Sequence, residues 1–483
     1  MEGPSGFKTM PIELLEDIFQ RLPVKNKGRC SQVCRQWQRG FNSKLSWRKF
    51  TFQDGIFVRR KYTQHSGWQY HIDHWRLKNL ITNTTSSWRT LNVEPVSNIF
   101  NLYEFFRVLA NYSEYYEKFS SQDRPMAKIH TFNFKWHLHV DENETGGFIA
   151  GKDVGTGGQI LHSLKTVLNY LHGLKSLSLV DLQLTHDEAD DFLSTLLEKF
   201  YEKLTYLSLL NVTLYPKPLL QVGCFLKLRK LLVSPQMLST DTLSAIACLE
   251  HLETLSIVQV TATPYSLFPP TSSATDSFVF QDEKSSQSTD ICRNAWDMFV
   301  KQNMDRTRVW LILRGKPKMS LIIQPGAPIY GIKMENSAGQ LTMELAEQIA
   351  NYYGATLRHF IQCGLERMKR GKKMEERVDS ALIEIVSRCP NLERLACRER
   401  MSYGTAVILS VYAERIGFGL WIRKNALLKR ICWCRLDMEA QAIHFDWLKA
   451  RCRSEELVIV TIQRNTNQMN PVLDDKSYKS LCL

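Results

Sequence analysis

Near its N-terminus the chain places large apolar side chains at helical spacing. Leu14, Leu15, Ile18, Phe19 and Leu22 make a broad stripe, the pattern of a helix with one buried face. Pro11 suits the first turn, where a missing N–H would be unpaired anyway. Glu13, Glu16 and Asp17 add favourable charge near that end, and Leu22-Pro23 closes the helix. A second helix is predicted from Cys30, Val33, Cys34, Trp37 and Phe41, at i, i+3, i+4, i+7 and i+11, with Leu45 and Trp47 soon after. About forty residues hide too small a fraction of their surface to bury all these side chains internally. Part of the apolar surface must therefore meet another protein or the rest of the same chain. Each fully buried Leu, Ile or Phe contributes roughly 1.5–3 kcal/mol, so a handful at a shared interface sustains a stable complex.

Further along, the pattern becomes a repeat. Of 59 leucines, 26 lie between residues 151 and 250. Within that window LxxLxL or its Val/Ile variant occurs at Leu174-Leu177-Leu179, Leu204-Leu207-Leu209, Leu228-Leu231-Val233 and Leu252-Leu255-Ile257, at spacings of 30, 24 and 24 residues. Helical segments such as Asp187 to Lys203 and Asp241 to Leu249 fall between the motifs, preceded by Thr or Asp caps. One strand, loop and helix unit cannot bury its own apolar face, so such units stack. Weaker echoes occur at Trp88-Leu91-Val93, Ile129-Phe132-Phe134, Leu357-Phe360, Leu392-Leu395-Cys397 and Leu428-Ile431-Trp433.

The N-terminal residues resemble a known family. Met10-Pro11-Ile12-Glu13-Leu14-Leu15, Ile18-Phe19, Leu22-Pro23, Val33-Cys34-Arg35, Trp37 and Leu45-Ser46-Trp47-Arg48 look like an F-box. Met10 stands where leucine is more usual, and Lys27 where the second helix commonly carries leucine. The resemblance implies a three-helix module that binds a Skp-type adaptor, and through it a cullin and a RING subunit. Implied adaptor-binding residues are Pro11, Leu14, Leu15, Ile18, Phe19, Leu22, Pro23, Val33, Cys34, Trp37, Leu45 and Trp47. The repeats resemble a leucine-rich repeat array, except that Leu182, Val212 and Val260 occupy the place of the usual Asn or Cys, so irregular curvature is expected. The expected fold class is α/β: an N-terminal three-helix F-box, then an irregular leucine-rich repeat solenoid with a parallel concave sheet. The expected organisation is F-box 1–52, linker 53–85, array 86–464 with a disordered insertion at 264–290, and polar tail 465–483.

Composition changes this picture little. An apolar content of 44% excludes wholesale disorder. Lys and Arg outnumber Asp and Glu by 62 to 49, a net charge of +13 compatible with an acidic partner. The densest basic run, Arg367 to Arg377, includes two glutamates and reads first as a solvated helix face, with nuclear import or phosphate binding as the other reading. No stretch of about 18 apolar residues lacks charges, and no signal-peptide pattern opens the chain, so no membrane contact and a cytoplasmic or nuclear location are expected. The 12 cysteines show no framework and read as reduced thiols. The sequons at Asn83, Asn111, Asn143 and Asn211 are then inert. Pro264 to Asp290, with seven serines and three prolines, cannot repay the entropy of ordering.

Candidate chemistry is sparse. Gly146 to Lys152 nearly spells a phosphate loop, but Asp153 replaces the Ser or Thr that would hold Mg²⁺. His137 with His139, Cys432 with Cys434, or His71 with His74 could each offer two metal ligands, and nothing nearby completes a set of four. Neither cofactor nor metal is expected. The leading reading is a non-catalytic substrate receptor of an SCF ubiquitin ligase, which holds an unknown target protein near the ubiquitin thioester. Target contacts are assigned to the variable strand positions Lys175, Ser178, Thr205, Ser208, Glu253, Arg394 and Lys429. Two other function classes stand beside it. One is a ubiquitin-independent basic scaffold binding an acidic protein or nucleic acid, though the thin spread of charge argues against nucleic acid. The other is an enzyme, which no motif favours.

Overall fold

The computed structural model describes residues 10–64, 67–96, 98–119, 125–136, 159–213, 218–260, 286–303, 306–314, 326–335, 341–365, 378–428 and 445–481. Lys429, the Arg367–Arg377 run, the Gly146–Lys152 loop, His137, His139, Cys432, Cys434 and most of 264–290 lie outside them. The chain divides into two units, Met1–Leu231 with Leu249–His251 and Leu232–Cys248 with Leu252–Leu483.

The first unit opens with three helices, α1 (Ile12–Arg21), α2 (Val24–Cys30) and α3 (Arg35–Asn42), followed by strand β1 (Lys49–Phe52). An antiparallel hairpin, β2 (Val58–Thr63) and β3 (Gly67–Ile72), leads to α4 (His74–Thr84). Alternation then sets in: β4 (Thr90–Val93), α5 (Ile99–Phe119), β5 (Thr131–Lys135), α6 (Gln159–Asn169), β6 (Ser176–Val180), α7 (His186–Phe200) and β7 (Tyr206–Leu210), and the unit boundary falls within the next strand, β8 (Lys230–Val233). Strands β1, β4, β5, β6 and β7 pair in that order, all parallel, with Lys49 opposite Thr90, Thr90 opposite Thr131, Thr131 opposite Ser176 and Ser176 opposite Tyr206. The expected linker at 53–85 is thus a hairpin and a helix, and the first strand of the array already lies inside the first 52 residues.

Motif leucines point inward as the repeat requires: Leu174, Leu177, Leu179, Leu204, Leu207 and Leu209 are all fully buried, each contributing roughly 1.5–3 kcal/mol. Where the leucine pattern fades, aromatic rings do the same work. Phe50 stacks on Trp88 at 4.2 Å and Phe52 on Phe105 at 4.1 Å. Thr185 caps α7, its backbone N–H donating to the Glu188 carboxylate at 2.9 Å in a capping box. The expected gap in the turn ladder is filled one residue earlier. Asp181 and Asn211, both with positive φ (60° and 49°), follow β6 and β7, and the Asn211 amide donates to the Asp181 carboxylate at 2.9 Å. Short polar side chains tolerate that conformation and bond locally. Leu182 and Val212, next in line, are buried.

In the second unit the elements are α8 (Thr240–Ala247), β9 (Thr254–Val260), α9 (Ser286–Asn303), β10 (Arg308–Arg314), β11 (Ile329–Met334), α10 (Met343–Tyr353), β12 (His359–Gln362), α11 (Asp379–Arg388), β13 (Arg394–Cys397), β14 (Met401–Ser402), α12 (Tyr403–Ile416), β15 (Gly419–Arg423), β16 (Leu427–Leu428), α13 (Phe445–Arg451), α14 (Glu455–Thr466), β17 (Val472–Leu473) and α15 (Asp475–Leu481). Parallel pairing runs β9, β10, β11, β12, β13, β15, β17. Residues 286–290, expected within the insertion, open α9 instead.

The expected polar tail is also corrected. Val472 and Leu473 pair with Ile422 and Arg423, and Tyr478 is fully buried, its hydroxyl donating to the Gln362 carbonyl at 2.7 Å. Asp475 accepts two bonds from the largely buried Arg423 guanidinium, at 2.7 and 2.9 Å, which hold its carboxyl below the usual carboxylate range. A carboxyl lowered in the folded state stabilises above its unfolded pKa, and that contribution is lost as pH falls through the folded value. Asp475→Asn is expected to cost about 2 kcal/mol near neutral pH, because it leaves a buried guanidinium poorly paired. Thermal unfolding of variant and wild type should converge in acid. A gap that persists there rules out the ion pair as its cause.

Candidate partner-docking module

Residues 10–52 build a helical module around a small aromatic core. Pro11, extended at φ −53°, ψ 145°, precedes α1, and Glu13 lies in the first turn. Leu15 and Phe19, four residues apart on one face, are fully buried. The Phe19 ring meets Trp37 at 6.0 Å and Phe41 at 6.3 Å, and Phe41 meets Trp47 at 5.2 Å, all edge to face, the geometry that ring quadrupoles favour. The Trp47 indole N–H donates to the Phe41 carbonyl at 2.6 Å. Gly40 permits this packing: a Cβ there would stand 3.2 Å from the Cβ of Leu15. The single second helix expected across Cys30–Phe41 is broken. Segment α2 ends at Cys30, and Cys34 is extended (φ −162°, ψ 170°) before α3 begins.

Lys27 takes the place of a core residue. It is 1% exposed, donates from Nζ to the Ser46 carbonyl at 2.5 Å, and lies 4.8 Å from the centre of the Trp47 ring. Burial pulls its pKa down to about 8. The carbonyl bond and the ring face offset part of the desolvation.

Burial sorts the twelve implied adaptor-binding residues. Leu15, Phe19 and Trp47 form the core. Ile18, Leu22, Cys34 and Trp37 are half-buried, and Pro11 and Pro23 are exposed. Leu14, Val33 and Leu45 stand out as large apolar side chains at 55%, 64% and 41% exposure. Among the residues assigned to a target, Lys175, Glu253 and Arg394 are exposed, Ser178 and Thr205 half-buried. Ser208 is buried, although Ser178 opposite it on β6 is not, so Ser208 offers no contact surface.

Other candidate groups resolve into structural roles. His71 belongs to β3 and His74 opens α4, where it lies 3.4 Å from Glu104, so the pair does not share a helix. Burial pushes the Cys389 thiol up to about 12 and that of Cys452 to about 11, which leaves them poor nucleophiles. No helix among the described residues is long and apolar enough to cross a membrane.

Among the described residues the helical module thus has a packed core and three exposed large aliphatic side chains, and the chain runs on from it into parallel strand-helix units. An F-box-like family model matches residues 7–53. The mouse F-box/LRR-repeat protein 21 is 42% identical over 45 residues, which make up 9% of this chain and 10% of that protein. The N-terminal segment is thus an F-box-like domain, and the likeness spans about a tenth of the curated relative's length.

Proposed function

We propose that this chain is the substrate-recognition subunit of an SCF-type ubiquitin ligase, working in the cytoplasm or nucleus. Its F-box-like domain docks a Skp-type adaptor, and through it a cullin and a RING subunit. The strand-helix array holds a target protein. The chain performs no chemistry itself and contributes proximity, keeping a target lysine near a thioester carried by another subunit.

One observation supports this reading above the rest. Leu14, Val33 and Leu45 remain exposed although the module around them has a packed core of its own, with Leu15, Phe19 and Trp47 buried. Exposed aliphatic side chains on so small a domain mark a surface that another protein covers. Affinity capture of purified adaptor by the full chain tests it. Leu14→Asp with Val33→Asp is expected to lower recovery more than about tenfold, because each buried carboxylate costs several kcal/mol. Circular dichroism should stay unchanged, since both side chains lie outside the core. Undiminished recovery removes the docking claim.

A further inference from the structure

One row of residues on the second unit's sheet brings large aromatic and basic side chains together across the strands. The register sets Ser256, Trp310, Gly331, His359, Arg394 and Gly419 side by side on successive parallel strands. Gly331 is where the row is built: a Cβ there would fall 2.6 Å from a carbon of the Trp310 ring, so only glycine lets the indole lie flat across the neighbouring strand. The pairing also shifts at this point. Val309 faces Ile329, the next residue faces Gly331, and Tyr330 is left over as a bulge. A bulge re-aims the side chain it carries. Here the Tyr330 ring comes within 4.9 Å of His359 and 5.9 Å of Trp310, with its hydroxyl 3.1 Å from His359 Nε2.

Charge around this aromatic floor is unbalanced. Arg308 lies over the Tyr330 ring at 5.1 Å. Arg358 is taken up by Glu393 at 2.6 Å. Arg308 and Arg394 are both exposed, and neither is within ion-pair distance of a carboxylate among the described residues, although Arg308 is near enough to Glu393 to help hold its carboxyl below the usual range. His359 is 8% exposed, and its Nδ1 has no hydrogen-bond partner among the described residues. An unsatisfied buried nitrogen is costly and calls for an explanation. Exposed arginines beside half-buried aromatic rings are the composition of a binding hot spot, and a guanidinium outside any close ion pair is a ready partner for a carboxylate.

We propose that this row is a recognition site for an acidic peptide segment of a partner protein, whose carboxylates engage Arg308 and Arg394 across the Trp310, Tyr330 and His359 floor. The inference rests on the reading of the array as the part that holds a target, and it names the chemistry of that target. Charge complementarity favours a peptide over nucleic acid. Glu253 and Glu393 border the same strands, and their carboxylates oppose an unbroken phosphate backbone. A peptide can place its acidic residues at intervals that avoid them.

Fluorescence anisotropy with the full chain tests this. The probes are a labelled Glu/Tyr/Gly peptide, its Gln/Tyr/Gly counterpart and a labelled oligouridylate. The acidic peptide should bind about tenfold or more tightly than the neutral one. Arg308→Gln with Arg394→Gln should abolish that preference. Gly331→Val, which leaves every charge in place but evicts the Trp310 ring, should weaken the acidic peptide about fivefold or more. Equal binding of both peptides, an unaffected double arginine variant, or tighter binding of the oligouridylate through the same two arginines would overturn the proposal. Adaptor capture is read on the same preparations. Failure of the docking reading shows there alone and leaves the peptide result to stand or fall by itself.

Discussion

Phe19→Ala is expected to unfold the F-box-like domain and leave the rest of the chain folded. The side chain is fully buried and is the hub of the small aromatic core, touching Trp37 and Phe41. Removing a buried phenylalanine costs about 3–5 kcal/mol, transfer and cavity terms together. A domain of about forty residues seldom has that much to lose. Limited proteolysis of the full chain should show rapid cleavage between residues 12 and 47, with residues beyond 90 still protected. Adaptor capture should vanish with the protection. Leu14→Asp with Val33→Asp is the counterpart, expected to lose capture while protection stays. If Phe19→Ala is cleaved no faster than wild type, the core described for this domain is wrong.

Lys27→Met should have the opposite sign and stabilise the same domain. The ammonium is buried, and its pKa falls from the ordinary 10.5 to about 8. At neutral pH both folded and unfolded chains carry the proton, so folding bears the full cost of burying the charge, about 3 kcal/mol at roughly 1.4 kcal/mol per pKa unit. Above about pH 8 the folded form releases its proton while the unfolded form keeps it. Wild-type stability therefore rises with pH up to the unfolded value and is flat beyond it. Methionine fills the same volume without charge, so a gain of about 1–3 kcal/mol near pH 7 is expected, less the lost bond to the Ser46 carbonyl. Native-state proteolysis of residues 12–47, normalised to an unstructured substrate at each pH, reads both effects. Wild-type protection that does not increase between pH 7 and 9, or a variant less protected than wild type at pH 7, contradicts this account of Lys27.

What could be read from the amino-acid order depended on how each inward position is filled. The four leucine-rich motifs lie on strands β6, β7, β8 and β9 because Leu at i, i+3 and i+5 is an unusual pattern with one structural use. The echoes at Trp88, Ile129, Leu357 and Leu392 introduce β4, β5, β12 and β13, where aromatic, mixed aliphatic and cysteine side chains do the same filling. Strands β10, β11 and β15 gave no such signal. In β10, Val309, Leu311, Ile312 and Leu313 are all buried, so the alternation that marks a strand is gone. In β11 the bulge at Tyr330 breaks the period. The tail carries too few apolar residues for a pattern, since its hold on the sheet rests on the two-residue strand Val472–Leu473, the buried Tyr478 and the Arg423–Asp475 ion pair. Within the F-box-like domain, helix spacing identified the apolar stripe but not its division. Leu14 and Leu15 are neighbours, yet one faces water and the other the core, and only the packing of α3 through Gly40 decides which. The row from Trp310 to Arg394 was illegible for another reason: its members are 84 positions apart in the chain and meet only through strand register.

Strand β1 belongs to both halves of the first unit. It lies within the segment matched by the F-box-like family, and it is the edge strand of the parallel sheet. The Arg48 carbonyl accepts the N–H groups of Arg89 and Thr90 at 2.8 and 3.0 Å, and the Phe52 carbonyl accepts that of Glu94 at 2.9 Å. A chimera that exchanges the whole matched segment for a foreign one would thus strip the sheet of its border and uncover Trp88 and Phe105. The workable splice point lies just upstream of the strand, between Trp47 and Lys49, so that a transplanted docking head keeps its own Trp47 and arrives without the plank that the recipient already owns.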